Sequence, residues 1–425
     1  MPPLLASIAA LLLSVALLQA GNGLQGTLLP VRADIEQFST FAIGLLGSTY
    51  YAGFVAGCLL GPYLVRQVGH IRVFTAMAAL ASAAPLVHGL LPMPLPWWLL
   101  RVLTGFCTAV LFMVIESWLN ERATKQTRGS VLAVYLVINL TVVTIGQMML
   151  TLYDPNDFVL FALASILVSV AAVPVALSAA PAPAPIQRVK IHLREVFQIS
   201  PVGFVSCFAV GAANGAFWAL GPRFASASGL AVAGIAIFMS VTVLAGAAGQ
   251  WPIGKLSDRL DRRRVLLAVS VLVGLIGAAL SLRGEATGHG LMVLTAFWGF
   301  LAFPMYGLAV AHANDYAATD QFVEVSSASL LVYASGAVVG PLAAASLMTH
   351  LHASHLYTYT AFVHFALALF VLWRMRQRAP APVKEQVRFI DALEASQTVS
   401  STFESELQEE LVKTSDAATS ARQGD

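Results

Sequence analysis

The sequence predicts an all-α integral membrane protein of twelve transmembrane helices, arranged as two pseudo-symmetric six-helix halves. Three observations carry that expectation. The 425 residues are 58% apolar and only 11% charged, with a mean hydropathy of +0.76, whereas a soluble domain carries roughly a quarter charged residues. Twelve stretches are long enough to cross a bilayer, which takes about 20 apolar residues per helix because its interior offers the backbone no water to bond. The third is an internal repeat: Asn22-Gly23 with Pro30 recurs as Asn214-Gly215 with Pro222, at an offset of 192 residues.

Span one (4–30) has an apolar run too long for a cleaved leader and no basic segment before it, the first basic residue being Arg32. It carries Asn22 and Gln25. Span two (41–65) bears a stripe of Gly53, Gly57 and Gly61, spaced for close helix contact, either at an interface that slides or as simple tight packing. Span three is 73–91. Span four (96–119) holds Arg101 and Glu116, separated by about 22 Å along the helix and about 60° around it. Both can therefore face one cavity at its opposite ends. An arginine in an apolar span is costly and suggests function, although Arg101 is also near enough to the interface to snorkel. Glu116 either faces the cavity or pairs with Arg122 or Arg128.

Span five (129–152) brings Asn139 and Gln147, and span six (158–178) completes residues 1–179 as the amino half. Residues 180–198, opening PAPAPIQRVK, form the one Pro-rich linker. Residues 199–378 form the carboxy half. Its spans are 200–222 with Asn214 and Trp218, 232–256, 265–283, 290–312 with Tyr306, 325–349 with Tyr333, Gly336 and Gly340, and 356–374. Unpaired polar side chains in hydrocarbon are expensive, so these amides and phenols should face protein or water. Residues 379–425 carry nine acidic and four basic residues and read as a mostly disordered acidic tail, with short amphipathic helices conceivable at 389–396 and 403–412.

Lys and Arg set the orientation. Sixteen lie in one set of loops and three, Arg32, Arg223 and Arg283, in the other, so both termini are expected in the cytoplasm and the protein in the inner (plasma) membrane. Arg32 and Arg223 follow the paired prolines and act either as an anion-attracting mouth or as headgroup anchors. His350, His352 and His355 cluster in an outer loop but are read as interfacial, so no metal or cofactor is assigned.

The loop after span eight reads Gly254-Lys255-Leu256-Ser257-Asp258-Arg259-Leu260-Asp261-Arg262-Arg263. It resembles the G-x-L-x-D-R-x-x-R-R signature of the major facilitator superfamily. Arg101-Val102-Leu103-Thr104-Gly105 leading to Ala109 is similar to that family's R-x-x-x-G-x-x-x-A pattern. Glu116-Ser117-Trp118-Leu119-Asn120-Glu121, Gly249-Gln250-Trp251-Pro252-Ile253-Gly254, and Tyr333-Ala334-Ser335-Gly336 with Gly340-Pro341 look like its YcaD-like branch. The resemblance spans residues 5–375. It implies alternating access and a cytoplasmic latch formed by Gly254, Asp258, Arg259 and Arg262. The first copy of the signature has Arg66 where Asp is expected, so the latch is expected at the second.

The sequence thus points to a secondary transporter of a small organic solute, a proton-coupled exporter of amphipathic compounds. Cavity candidates are Asn22, Gln25, Arg101, Asn139, Gln147, Asn214, Trp218, Tyr306 and Tyr333, and coupling candidates are Glu116, Arg101 and Asp34. An organic-anion carrier or uncoupled facilitator is the alternative, and a membrane receptor or scaffold acting through its tail is the reading from another class. No nucleotide-binding loop, paired carboxylates or nucleophile elbow supports an enzyme, and nothing in the charge points to nucleic acid. The expected partners are a small molecule and lipid, with a monomeric chain and a tail available to a cytoplasmic protein. The charge asymmetry makes a direct prediction. A green fluorescent reporter fused to the carboxy terminus should fluoresce and alkaline phosphatase fused there should stay inactive; the opposite pair of results would invert the orientation.

Overall fold

A computed structural model describes residues 2–122, 128–177, 192–283, 288–318, 321–380 and 386–392. Most of the linker, and the tail from residue 393, lie outside the described residues. Among the described residues the chain is helical without strands. The amino half contains α1 (Pro2–Ile35), α2 (Thr40–Val68), α3 (His70–Leu90), α4 (Pro94–Arg122), α5 (Arg128–Met148), α6 (Val159–Val170) and α7 (Ala172–Ala176). The carboxy half contains α8 (Leu193–Ile199), α9 (Pro201–Ala227), α10 (Val232–Ser257), α11 (Arg262–Leu282), α12 (His289–Ala302), α13 (Met305–Asn314), α14 (Phe322–His350) and α15 (His355–Met375). Eleven crossings among the described residues are long and apolar enough to span a membrane, and α5 supplies the twelfth. Both ends of this even set lie on the face that carries the basic loops, called here the basic face.

Local chemistry sets the boundaries. Ser39 caps α2 by accepting from the Ala42 N–H at 3.1 Å, and Asp261 caps α11 by accepting from the Arg263 N–H at 3.0 Å. Gly69, at φ +91°, makes the turn between α2 and α3 that a side chain would strain. Pro304 breaks span ten into α12 and α13, because it has no N–H to continue the ladder. Pro30 does not end α1, which continues to Ile35, one and a half turns beyond the predicted edge.

The two halves repeat one another in their packing. In the amino half α1 packs on α5, α2 on α4 and α3 on α6; in the carboxy half α9 packs on α14, α10 on α12 and α11 on α15. The repeat reaches single residues. Gly23 lies against the backbone of Val143, and Gly215, 192 positions later, lies against that of Ala337. Across the seam α2 meets α14 and α5 meets α10, a reciprocal exchange that follows from the same symmetry.

Of the two roles open to the glycine stripes, their contacts fit tight packing. Gly53, Gly57 and Gly61 face Val102, Phe106 and Met113 of α4, while Gly336 and Gly340 face Phe208 and Ala212 of α9. They bring helices together inside each half rather than between halves, since any Cβ at Gly340 would overlap the Ala212 carbonyl. Gly340→Val should therefore cost at least about 1–3 kcal/mol of stability through overpacking. It should lower the thermal unfolding midpoint in detergent, whereas Gly26→Ala, with nothing within 4 Å of the added carbon, should leave it unchanged.

Candidate functional site

The seam between the halves encloses two adjoining compartments. One, of about 190 Å³, is lined by Gln19, Asn22, Gln25, Tyr50, Tyr51, Arg101 and Gln147. The other, of about 450 Å³, lies nearer the basic face and is lined by Phe54, Glu116, Asn139, Asn214, Gln250, Tyr306 and Tyr333. Phe112 and Trp218 line both and so separate them. All nine residues singled out as cavity candidates border one compartment or the other, although they come from six crossings.

The smaller compartment carries a cation and a cluster of amides. Arg101 stacks 4.2 Å above the Tyr50 ring, and its Nε donates to the Leu46 carbonyl at 3.3 Å. Among the described residues no carboxylate pairs with it. Asn22 donates to Gln19 Oε1 at 3.1 Å, and Gln19 in turn donates to Asn139. Ser240 donates to Gln147 Oε1 at 3.5 Å, a contact from one half to the other. The Gln25 amide nitrogen is buried with no protein partner among the described residues, which leaves a donor for whatever enters.

The larger compartment is mainly apolar. Trp218 stacks on Phe303 at 5.8 Å, the Tyr306 and Tyr333 rings lie 4.9 Å apart, and Asn214 shares a hydrogen bond with Tyr333. Glu116 borders this space and shares a hydrogen bond with Tyr135 of α5. Thus α4 presents a cation on one side of the Phe112–Trp218 partition and a carboxyl on the other.

At the face opposite the basic one the seam is shut. Asp34 meets Arg223 at 3.2 Å and accepts from Ser226 Oγ at 2.7 Å. Asp34 and Ser226 are 192 residues apart, the repeat offset, so they are equivalent positions meeting near the pseudo-twofold axis. Asp34 belongs to this closure and lines neither compartment. Arg32 pairs with Glu36 at 2.6 Å and donates to the carbonyls of Pro155 and Asn156. Both outer arginines are therefore engaged by carboxylates, which neutralises the field that was expected to attract anions there.

On the basic face Arg262 is the centre of the signature loop. It pairs with Asp258 at 2.9 Å and Asp315 at 2.7 Å, and its side chain is 1% exposed, as is that of Asp315. Burial pushes the Asp315 carboxyl up to about 7, with the Arg262 charge opposing it. Arg259 is exposed and Gly254 is packed, and the contacts shown by Asp258 and Arg262 go to the carboxy half and to the tail segment after it, not to the amino half. A second cluster, His192, Glu195 and Glu324, gathers ligand-type atoms within 4.8 Å. His192 already engages Glu324 through both its N–H and Nδ1, at 2.8 and 3.0 Å, so the cluster serves to anchor α8 on α14. Sequence reasoning missed Gln19, Tyr50, Phe112, Tyr135 and Asp315. Gln19 was accessible, standing one helical turn before Asn22; the others carry no signal apart from the fold.

A family model described as Major Facilitator Superfamily matches residues 11–341 and again 203–404. The chain is 28% identical over 368 residues to an uncharacterized MFS-type transporter, YcaD, of Escherichia fergusonii, covering 86% of this chain and 95% of that protein. It is 29% identical over 381 residues to an uncharacterized MFS-type transporter of Enterobacter sp. strain 638, covering 88% and 97%. Among solved structures it resembles the nucleoside transporter NupG, with a TM-score of 0.76 at 13% identity over 88% of this chain and 100% of that one. It also resembles a bacterial homolog of the human lysosomal transporter Spinster in an inward-facing, occupied conformation, with a TM-score of 0.72 at 13% identity over 89% and 97%.

The closure gives a measurable expectation. Asp34→Asn removes an ion pair and weakens a hydrogen bond, together worth about 1 kcal/mol, or about fivefold in the ratio of closed to open forms. Spin labels placed across that face on α1 and α9 should show a longer-distance population growing by that factor.

Proposed function

The chain belongs to the major facilitator superfamily, and from that premise we propose that it carries a small amphipathic organic solute across the inner membrane, exchanging it for protons by alternating access. The observation that carries this reading is the division of the cavity. A compartment with an Arg101 that has no carboxylate partner among the described residues adjoins a larger one that holds Glu116, and both have mainly apolar walls. A solute with a polar or anionic end and an apolar body fits both parts at once, its polar end on Arg101 and Gln25, its body against Phe112, Trp218 and Phe303.

In the proposed cycle the basic face is cytoplasmic, following the loop charges, and the present arrangement is the inward-open one. The solute enters from the basic face while the Asp34–Arg223 closure blocks the other side. Glu116 is the proton carrier: it stands in the larger compartment, where a carboxyl is desolvated and a proton lowers the cost of its burial. Protonation and solute binding at the two ends of α4 then act on one rigid helix. The pseudo-equivalent pairs α2–α14 and α5–α10 are the surfaces on which the halves rock. The organic-anion reading rests on the same Arg101 and differs only in the weight given to the charge of the solute. The scaffold reading has no cavity to explain.

Proteoliposomes loaded with candidate amphipathic acids, cations and neutral solutes test the proposal. Glu116→Gln should abolish acceleration by a pH gradient while leaving counterflow intact. Arg101→Ala should cut transport about tenfold or more, as expected for loss of a buried charge-assisted contact. Full gradient-driven transport by Glu116→Gln would remove Glu116 from the coupling role, and normal transport by Arg101→Ala would remove Arg101 from the binding site.

A further inference from the structure

Beyond the cavity, the basic face holds a built site for a short peptide that ends in one helical turn, and the chain's own tail fills it. Asp258 accepts the Phe389 N–H at 2.8 Å, and Asp315 accepts the Val387 N–H at 3.0 Å. Arg262, held between the same two carboxylates, donates to the Val387 carbonyl. Three charged side chains thus bind three backbone groups of a two-residue step. The Phe389 ring is 4% exposed and lies on Gly254, where any Cβ would overlap it, and Ala392 is fully buried. Arg388 and Ile390 point outward. Ahead of the segment Arg263 donates to the Arg378 carbonyl at 2.6 Å, and Arg378 donates to the Ile199 carbonyl at 2.8 Å and stacks 4.0 Å from the Tyr316 ring.

The location gives this site a consequence. It joins the basic-face ends of α10 and α13, and these two helices supply Val243, Ala247, Gln250, Tyr306 and Gly307 to the wall of the larger compartment. We infer that residues 386–392 form an intramolecular clasp, docked on Gly254, Asp258, Arg262 and Asp315, that holds the cavity's basic-face mouth in its open form. A buried guanidinium between two carboxylates is a poor stabiliser unless its remaining hydrogen bonds are met, and the tail backbone supplies three of the network's bonds, while Arg262 Nε and Asp315 Oδ2 stay without a partner among the described residues. Losing the tail leaves that network short of partners, so docking and the position of the α10 and α13 ends are linked.

The clasp is tested on the full chain in nanodiscs, without any substrate, so its fate is separate from that of the transport reading. Trypsin cleavage after Arg388 requires local release of the segment. The parent should be cut there about tenfold more slowly than after Lys413, and Phe389→Ala should abolish the difference while leaving the Lys413 rate unchanged. Equal rates at the two sites in the parent overturn the docking. For the mouth, nitroxides at Arg66→Cys and Lys255→Cys report the distance between the halves on the basic face. Phe389→Ala, and from the other side of the contact Gly254→Leu, should each reduce the long-distance population at least about twofold. A distribution unmoved by either variant, with release of the tail shown by trypsin, overturns the hold on the mouth.

Discussion

Backbone contact inside each half is the constraint on which the rest of this protein depends. Helices surrounded by lipid gain little from burying apolar side chains, because the lipid is as apolar as they are. What holds them is close packing, and here that packing is made at glycines: Gly53 and Gly105 between α2 and α4, Gly23 and Gly146 between α1 and α5, Gly211, Gly336 and Gly340 between α9 and α14. In each case a side chain would overlap the neighbouring backbone. Such contacts have no second arrangement, since a shift by one residue replaces the glycine with a larger group. The halves are stiff for that reason, and motion is left to the seam.

The seam is built differently. Apart from Gly44 and Gly47 of α2, which close on Pro341 and Ala219 of the other half, its residues around the compartments are amides, phenols and single charges, joined by hydrogen bonds such as Ser226 to Asp34 at 2.7 Å. A polar contact across a gap can be exchanged for water or for a solute at small cost, which a glycine-to-carbonyl contact cannot. Polarity in this chain therefore marks where it opens. The symmetry axis adds a restriction, because equivalent residues meet themselves there and identical charges would repel. Asp34 is matched by Ser226, not by a second carboxylate, and the neighbouring Arg223 provides the opposite charge.

Much of this was legible in the sequence. Twelve crossings, the repeat offset and the nine cavity residues follow from one fact, that lipid makes every polar side chain in a span conspicuous. The same offset that aligned Asn22 with Asn214 reappears as the Asp34–Ser226 contact. What escaped was of three kinds. Tyr50, Phe112 and Phe303 shape the cavity, yet aromatic residues in a span are indistinguishable from packing until the fold places them. Glycine spacing showed that helices approach closely but not which ones, so Gly336 and Gly340 gave no choice between packing within a half and packing across the seam. Asp315 was invisible for a third reason: it stands at the end of a crossing, where a carboxylate is expected, and only its burial beside Arg262 shows it to be structural.

The proposed alternating access would set an upper limit on every interaction that closes the seam. Two end states interconvert usefully only if they lie within a few kcal/mol of each other, so a closure must be strong enough to exclude solute and weak enough to break each cycle. The Asp34–Arg223 pair is partly exposed, at 21% and 29%, and solvent screening reduces such a pair to about 1 kcal/mol or less. By contrast, Arg262 and Asp315 are 1% exposed and joined at 2.7 Å, a pair whose rupture would leave a buried charge at a cost of about 3–5 kcal/mol. It ties elements of one half to each other and need not break when the halves part. The charged contacts of this chain are graded by burial accordingly: the exposed pair bridges the halves, and the buried pair holds one half together.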